Sequence, residues 1–175
     1  MRVVTICGSL RAESSNAALL RAVTALMPEG VEVVPFGGMG ELPHFNPDLD
    51  DVGAAPPPEV ARLRELLIGA DGIVVSTPEY AHGLPGSFKN MLDWLVSTGE
   101  LVDKPVAVLN ASPSGAQYAQ ASLVEILRTM NWRLIDEASL LRPFLPRKLA
   151  GDLPDDAKSA LREAIHAFVA AIRKY

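Results

Sequence analysis

A chain of 175 residues, 49% of them hydrophobic, is long enough for one compact domain with a real core, and residues 1–175 are expected to form a single domain. A formal net charge of −5 counts against nucleic acid or an anionic bilayer as partner, since both reward clustered Lys and Arg. No apolar run approaches the ~20 residues that span a membrane, and the N-terminus lacks the apolar core and cleavage site of a secretory signal, so a cytoplasmic protein with a small-molecule partner is expected.

The chain opens on the β-branched run "RVVTIC" (2–7), which reads as a strand. Cys7, at its end, is the single cysteine, with no second thiol to pair and no neighbouring His or Cys to form a metal site. The loop that follows, "CGSLRAESSN", supplies a glycine for a sharp turn. Ser9, Arg11, Ser14, Ser15 and Asn16 then come just before the helical period of "SNAALLRAVTALM" (15–27). Hydroxyls, helix N-terminal amides and a guanidinium fork together suit a terminal phosphate. The loop is neither a Walker loop nor a Gly-x-Gly-x-x-Gly dinucleotide fingerprint, which disfavours nucleoside triphosphate chemistry.

A second strand reading, "VEVVPF" (31–36), leads into a connection over 37–58 that exceeds the ~12–15 residues of an idle loop. It is read as a binding flap or an oligomer contact, with the prolines at 56–58 setting up the helix "PPEVARLRELLIGA" (57–70). "GIVVST" (72–77) is apolar enough for a central strand covered on both faces. The stiff segment "STPEYAHGLPGSFKNMLDW" (76–94) follows, and a helix is expected over 87–98 with Phe88, Met91, Leu92 and Leu95 on its core side. Lys89 and Asp93 are spaced to pair on that helix. "PVAVLNAS" (105–112), a helix over 118–130, a fifth strand candidate over 133–141 and a helix over 155–175 complete the pattern. Five alternations of strand and helix point to a doubly wound three-layer α/β domain with its ligand beyond the carboxyl ends of the strands.

"GSLRAESSN" and "TPEYAHGLPGSFKNMLDW", in this order and strand context, resemble the NADPH-dependent FMN reductase family, the flavodoxin-like group that includes chromate, quinone and azo reductases. "LPHFNPDL" (42–49) and "NASPSGAQ" (110–117) match it more weakly. The resemblance implies a flavodoxin-like three-layer α/β/α sandwich with a five-stranded parallel sheet in the order 2-1-3-4-5. It implies FMN as cofactor and NADPH, or NADH, as electron donor. Ser9, Arg11, Ser14 and Asn16 would hold the FMN phosphate, with Ser15 as a neighbour. Pro78, Glu79, Tyr80 and Ala81 would run beside the isoalloxazine ring, and Ser112, Ser114 and Gly115 would meet its polar edge. Family members often carry Asn after the Pro-Glu-Tyr triplet, where this chain has Ala81, then His82 and Gly83.

The implied activity is a ping-pong oxidoreductase passing hydride from NADPH to FMN and then to a quinone, azo compound, chromate or free flavin. The chemistry then belongs to the flavin, and no triad or metal is needed. His82 is the one candidate proton carrier, since it titrates near neutral pH. The resemblance also implies a homodimer or homotetramer, for which Trp94 and Trp132 are candidate contacts, as they are for the monomer core. A flavodoxin-type electron carrier is the main alternative, but such carriers are typically more acidic and cradle phosphate without an arginine. A module that has lost its cofactor is the third reading, against which the intact phosphate loop argues.

Overall fold

The computed structural model describes residues 1–51, 53, 55–141, 145 and 152–174. Five parallel strands form one sheet: β1 (Arg2–Cys7), β2 (Glu32–Phe36), β3 (Gly72–Ser76), β4 (Pro105–Val108) and β5 (Arg133–Leu134), ordered β2-β1-β3-β4-β5. This is the expected flavodoxin-like order. β3 is buried at every residue, as a strand covered on both faces must be.

Two helices cover one face. α1 (Ser15–Leu26) and α5 (Asp155–Arg173) bury Leu19, Leu20, Val23, Leu161, Ile165 and Phe168 against Val3, Val74 and Ala107. On the other face α2 (Pro58–Ile68), α3 (Gly86–Asp93) and α4 (Gln117–Thr129) pack Leu63, Leu67, Phe88, Met91, Leu123 and Leu127 against Val4, Ile73, Val75 and Val106. The α5 face demands a glycine at the start of β3, because a Cβ on Gly72 would lie 2.6 Å from Ile172 and 2.8 Å from Phe168. No helix among the described residues is long and apolar enough to cross a membrane.

Three elements differ from their sequence reading. The helix expected over 87–98 stops at Asp93. The Trp94 carbonyl, which the next helical turn would need, instead accepts from Arg64 Nε at 3.1 Å and Nη2 at 2.5 Å, and Thr98 N–H turns back to Leu95. The fifth strand is two residues long, and the chain loops out before rejoining the sheet at Leu140. Across that excursion Ser139 Oγ substitutes for a strand carbonyl, accepting from Val108 N–H at 3.1 Å.

The long connection is pinned to α2 and α3 at several of its described residues. Pro43 O accepts from Asn90 Nδ2 and from Trp94 Nε1, both at 2.9 Å, and Phe45 packs edge-on to Trp94 with ring centroids 5.0 Å apart. Asp50 takes Arg64 Nη2 and Ser97 Oγ at 2.7 Å each. Trp94 and Trp132 are both buried within the chain itself, which removes them as subunit contacts. The prolines do lead into α2, with Pro58 as its first residue.

Candidate functional site

The loops after β1, β3 and β4 leave the carboxyl edge of the sheet side by side and enclose an open cleft of about 560 Å³. Gly8 allows the first two loops to approach. Its N–H donates to Ser76 O at 2.8 Å, and a Cβ there would overlap Thr77 Oγ1 at 2.2 Å. Sequence reading expected these three loops to carry the function, and the structure brings them together.

At one end of the cleft stands the N-terminus of α1. Ser14 is its N-cap, with Oγ accepting from Ala17 N–H at 3.4 Å. Among the described residues the amides of Ser15 and Asn16 meet no acceptor, and neither does the Arg11 guanidinium. Ser9 Oγ accepts from Arg11 N–H at 3.2 Å, which folds the loop while leaving the hydroxyl proton to donate. Asn16 is buried, its Oδ1 accepting from Ser76 Oγ at 2.8 Å, so its Nδ2 is the group left for a ligand. Cys7 ends β1 behind this loop, with Sγ 3.6 Å from Ser9 O. The result is a set of donors converging on the positive pole of a helix, fit for an anion.

Pro78, Glu79 and Tyr80 form one side wall, and Ala111, Ser112, Pro113 and Ser114 the opposite one. The β4 loop is organised by Asn110, which is wholly buried. Its Oδ1 accepts from Ser112 N–H at 2.9 Å, while Nδ2 donates to Leu141 O at 2.9 Å and to Gly115 O. Ser112 Oγ and Ser114 Oγ lie 3.1 Å apart.

The Glu79 side chain is engaged at the start of α4. Its Oε2 accepts from the N–H groups of Tyr118 (2.8 Å) and Ala119 (2.9 Å), capping α4 with a carboxylate where that helix has no side-chain cap of its own. The next residues form a tight hairpin. Tyr80 N–H donates to Gly83 O at 3.0 Å, and Gly83 N–H to Tyr80 O at 2.9 Å. Between them Ala81 and His82 have φ of 49° and 58°. Two consecutive left-handed residues define the turn in which Asn-Gly is favoured, and for residues with a Cβ each costs about 1 kcal/mol or more. Asn, which adopts left-handed backbone more readily, would suit position 81 better than the Ala81 found there.

Of the expected ligand-contacting residues, Ser9, Arg11, Ser14, Ser15, Asn16, Pro78, Glu79, Tyr80, Ser112 and Ser114 line the cleft, and His82 joins them. Ala81 and Gly115 do not; both serve turns, Gly115 at φ 114°. Sequence reading missed Glu13, Ala111, Pro113, Ala116, Gln117 and Tyr118. Tyr118 reads in the sequence as the first residue of a helix, whereas in the structure it lines the cleft and stacks on His82 with centroids 4.2 Å apart. His44 and His166 are exposed and outside it. No group of metal-ligating side chains occurs among the described residues.

A doubly wound sheet with a phosphate-type cradle after its first strand defines the flavodoxin-like class of α/β proteins. Comparison with known proteins narrows this. Residues 1–144 match the family model of NADPH-dependent FMN reductases. The NADPH:quinone oxidoreductase of Arabidopsis thaliana is 34% identical over 174 residues, covering 94% of this chain and 88% of its own. The NAD(P)H-dependent FMN reductase of Pseudomonas aeruginosa is 35% identical over 131 residues, 73% of this chain and 69% of its own. Among solved structures FerB, a flavoenzyme NAD(P)H:(acceptor) oxidoreductase from Paracoccus denitrificans, superposes with a TM-score of 0.81 at 30% identity, covering 99% of this chain and 97% of that one. The chain belongs to the NADPH-dependent FMN reductase family, a family of oxidoreductases with FMN as cofactor and NAD(P)H as electron donor. The donor set at α1 fits that cofactor: amides and a guanidinium without partners among the described residues, together with hydroxyls, line the cleft beside the β3 and β4 loops.

Proposed function

We propose that this chain is an NAD(P)H:acceptor oxidoreductase that uses FMN to deliver electrons to a quinone-type acceptor. One observation carries the reading. The amides of Ser15 and Asn16 and the Arg11 guanidinium, without partners among the described residues, belong to a cleft lined also by the serines of two loops and by the rings of Tyr80, His82 and Tyr118, with one side left to solvent.

Arg11, Ser9, Ser14 and the α1 amides would neutralise and orient the flavin phosphate, with Asn16 Nδ2 as a further donor. Pro78, the Glu79 backbone and Tyr80 would flank the ring on one side, and Ser112 and Ser114 would offer hydroxyls to its polar edge. Ala81 and Gly115 shape the turns that hold those walls. FMN, when bound, supplies the redox chemistry, taking two electrons from the nicotinamide and releasing them to the acceptor. The residues of the chain bind, orient and leave one side open, so that donor and acceptor use it in turn. The relatives named for quinone reduction support a quinone as the acceptor class.

The test is an anaerobic NADPH titration of the FMN-reconstituted protein, following the visible flavin absorption, with 1,4-naphthoquinone then added. Bleaching by about one equivalent per flavin, and recovery of the colour with the quinone, is the expected result. A flavin that stays oxidised with NADPH and NADH, yet bleaches with dithionite, makes the protein an electron carrier instead.

A further inference from the structure

The wall formed by the β3–α3 loop and the start of α4 contains a stacked pair of aromatic rings, His82 and Tyr118, whose planes are 27° apart. Both line the cleft. Tyr118 is 48% exposed and the adjacent Tyr80 54%, so these rings contribute little to the core, and an exposed aromatic cluster at a cleft marks ligand contact more often than packing. The chain also holds His82 in place against resistance. The turn that presents it has two residues with positive φ, which its own sequence does not favour. Glu79 anchors the root of that turn to the Tyr118 and Ala119 amides, so one residue ties the histidine's loop to the tyrosine's helix.

We infer that the stacked His82 and Tyr118 rings, latched together through Glu79, form an aromatic shelf that selects planar acceptors, with Tyr118 as a specificity-determining residue. The inference rests on the oxidoreductase reading above. A flat, uncharged ring is the ligand this wall suits. Among the described lining residues Arg11 is the one fixed cation and lies in the α1 loop, while Glu13 and Glu79 are carboxylates. A quinone can lie on the shelf without requiring a counter-charge, and the Tyr118 hydroxyl and the His82 ring N–H are the donors this wall would offer to its carbonyl oxygens. Glu79 acts through the other two and is a positioning residue.

The test compares steady-state kinetics of FMN-loaded wild type, Tyr118→Ala, Tyr118→Phe and His82→Ala with 1,4-naphthoquinone and with ferricyanide, a compact octahedral acceptor. Loss of one stacking surface should raise the naphthoquinone KM about fivefold to tenfold in Tyr118→Ala and His82→Ala, with kcat moving less than about twofold and the ferricyanide KM little changed. Tyr118→Phe keeps the ring and should retain most of the wild-type KM. Equal KM changes for both acceptors, a rise in the NADPH KM instead, or a parallel weakening of FMN binding overturns the shelf. These failures differ from failure of the oxidoreductase reading, in which wild-type flavin itself is not bleached by NADPH. Both side chains are solvent-exposed, so the variants should fold, and thermal unfolding checks this.

Discussion

At the N-terminus of α1 the Ser15 and Asn16 amides go unanswered among the described residues, and the Arg11 guanidinium beside them has no partner there either. At the N-terminus of α4, at the other side of the same cleft, it answers the amides of Tyr118 and Ala119 with its own carboxylate, Glu79. Both helix ends carry the same partial positive charge, and both belong to the wall of one cavity. The contrast teaches how a cleft with two anion-attracting poles comes to have one anion seat. The pole that is filled from within becomes a joint, tying the β3–α3 loop to α4, and the open pole is the one our proposal assigns to a ligand's charge.

The largest expected effect tests the open pole. Arg11→Ala removes a charge-assisted partner worth about 1.5–3 kcal/mol, so FMN affinity should fall about tenfold to a hundredfold. The melting temperature of the FMN-free protein should be unchanged, since the Arg11 guanidinium has no hydrogen-bond or ion-pair partner among the described residues, and the Arg11 N–H bond to Ser9 survives the substitution. Titration of the FMN-free variant by flavin fluorescence quenching measures this, and an unaltered affinity would remove the phosphate assignment.

The filled pole should behave in the opposite way. Glu79→Ala strips a helix cap and its dipole interaction, at a cost of about 1–2 kcal/mol, which for a chain of this size is a fall in Tm of about 2–8 °C. Glu79→Gln, which keeps an acceptor oxygen without the charge, should fall between. FMN affinity should drop less than in Arg11→Ala, because Glu79 reaches a ligand only through the loop it fixes. If Glu79→Ala costs more FMN affinity and less stability than Arg11→Ala, the two poles have exchanged roles.

The open pole was legible in the sequence, and the filled one was not. A run of hydroxyls, an amide and an arginine between a strand and a helix announces an anion site through local chemistry alone. Glu79 sits only three residues beyond β3, yet its partners are amides 39 and 40 residues later, and no local pattern marks a carboxylate as a cap for a distant helix. Asn110 was hidden for a similar reason, since its three hydrogen bonds tie together a loop and the Leu141 carbonyl. Strand order followed from apolar runs and alternation. The early end of α3 did not, because periodicity continues through Leu95 while Arg64, from α2, takes the carbonyl that helix continuation requires.

A third helix end extends the contrast to the opposite pole and carries the smallest effect. At the C-terminus of α2, Lys104 Nζ donates to Ile68 O at 3.0 Å and Ala70 O at 2.6 Å, placing a cation on the negative end of the dipole. Burial lowers its pKa below the usual lysine value, and the Asp71 carboxylate opposes that shift without cancelling it. Between the lowered folded value and the unfolded value of about 10.4, the unfolded chain holds more protons at this site than the folded one. Stability from Lys104 must therefore rise as pH climbs through that window, because the charge that burial disfavours is being removed. Urea unfolding of wild type and Lys104→Met across alkaline pH isolates the term, and the difference should move in favour of wild type as the pH rises. A difference that moves the other way means that attraction to the helix carbonyls and Asp71 outweighs burial, and Lys104 is then held charged as firmly as Glu79 is held at α4.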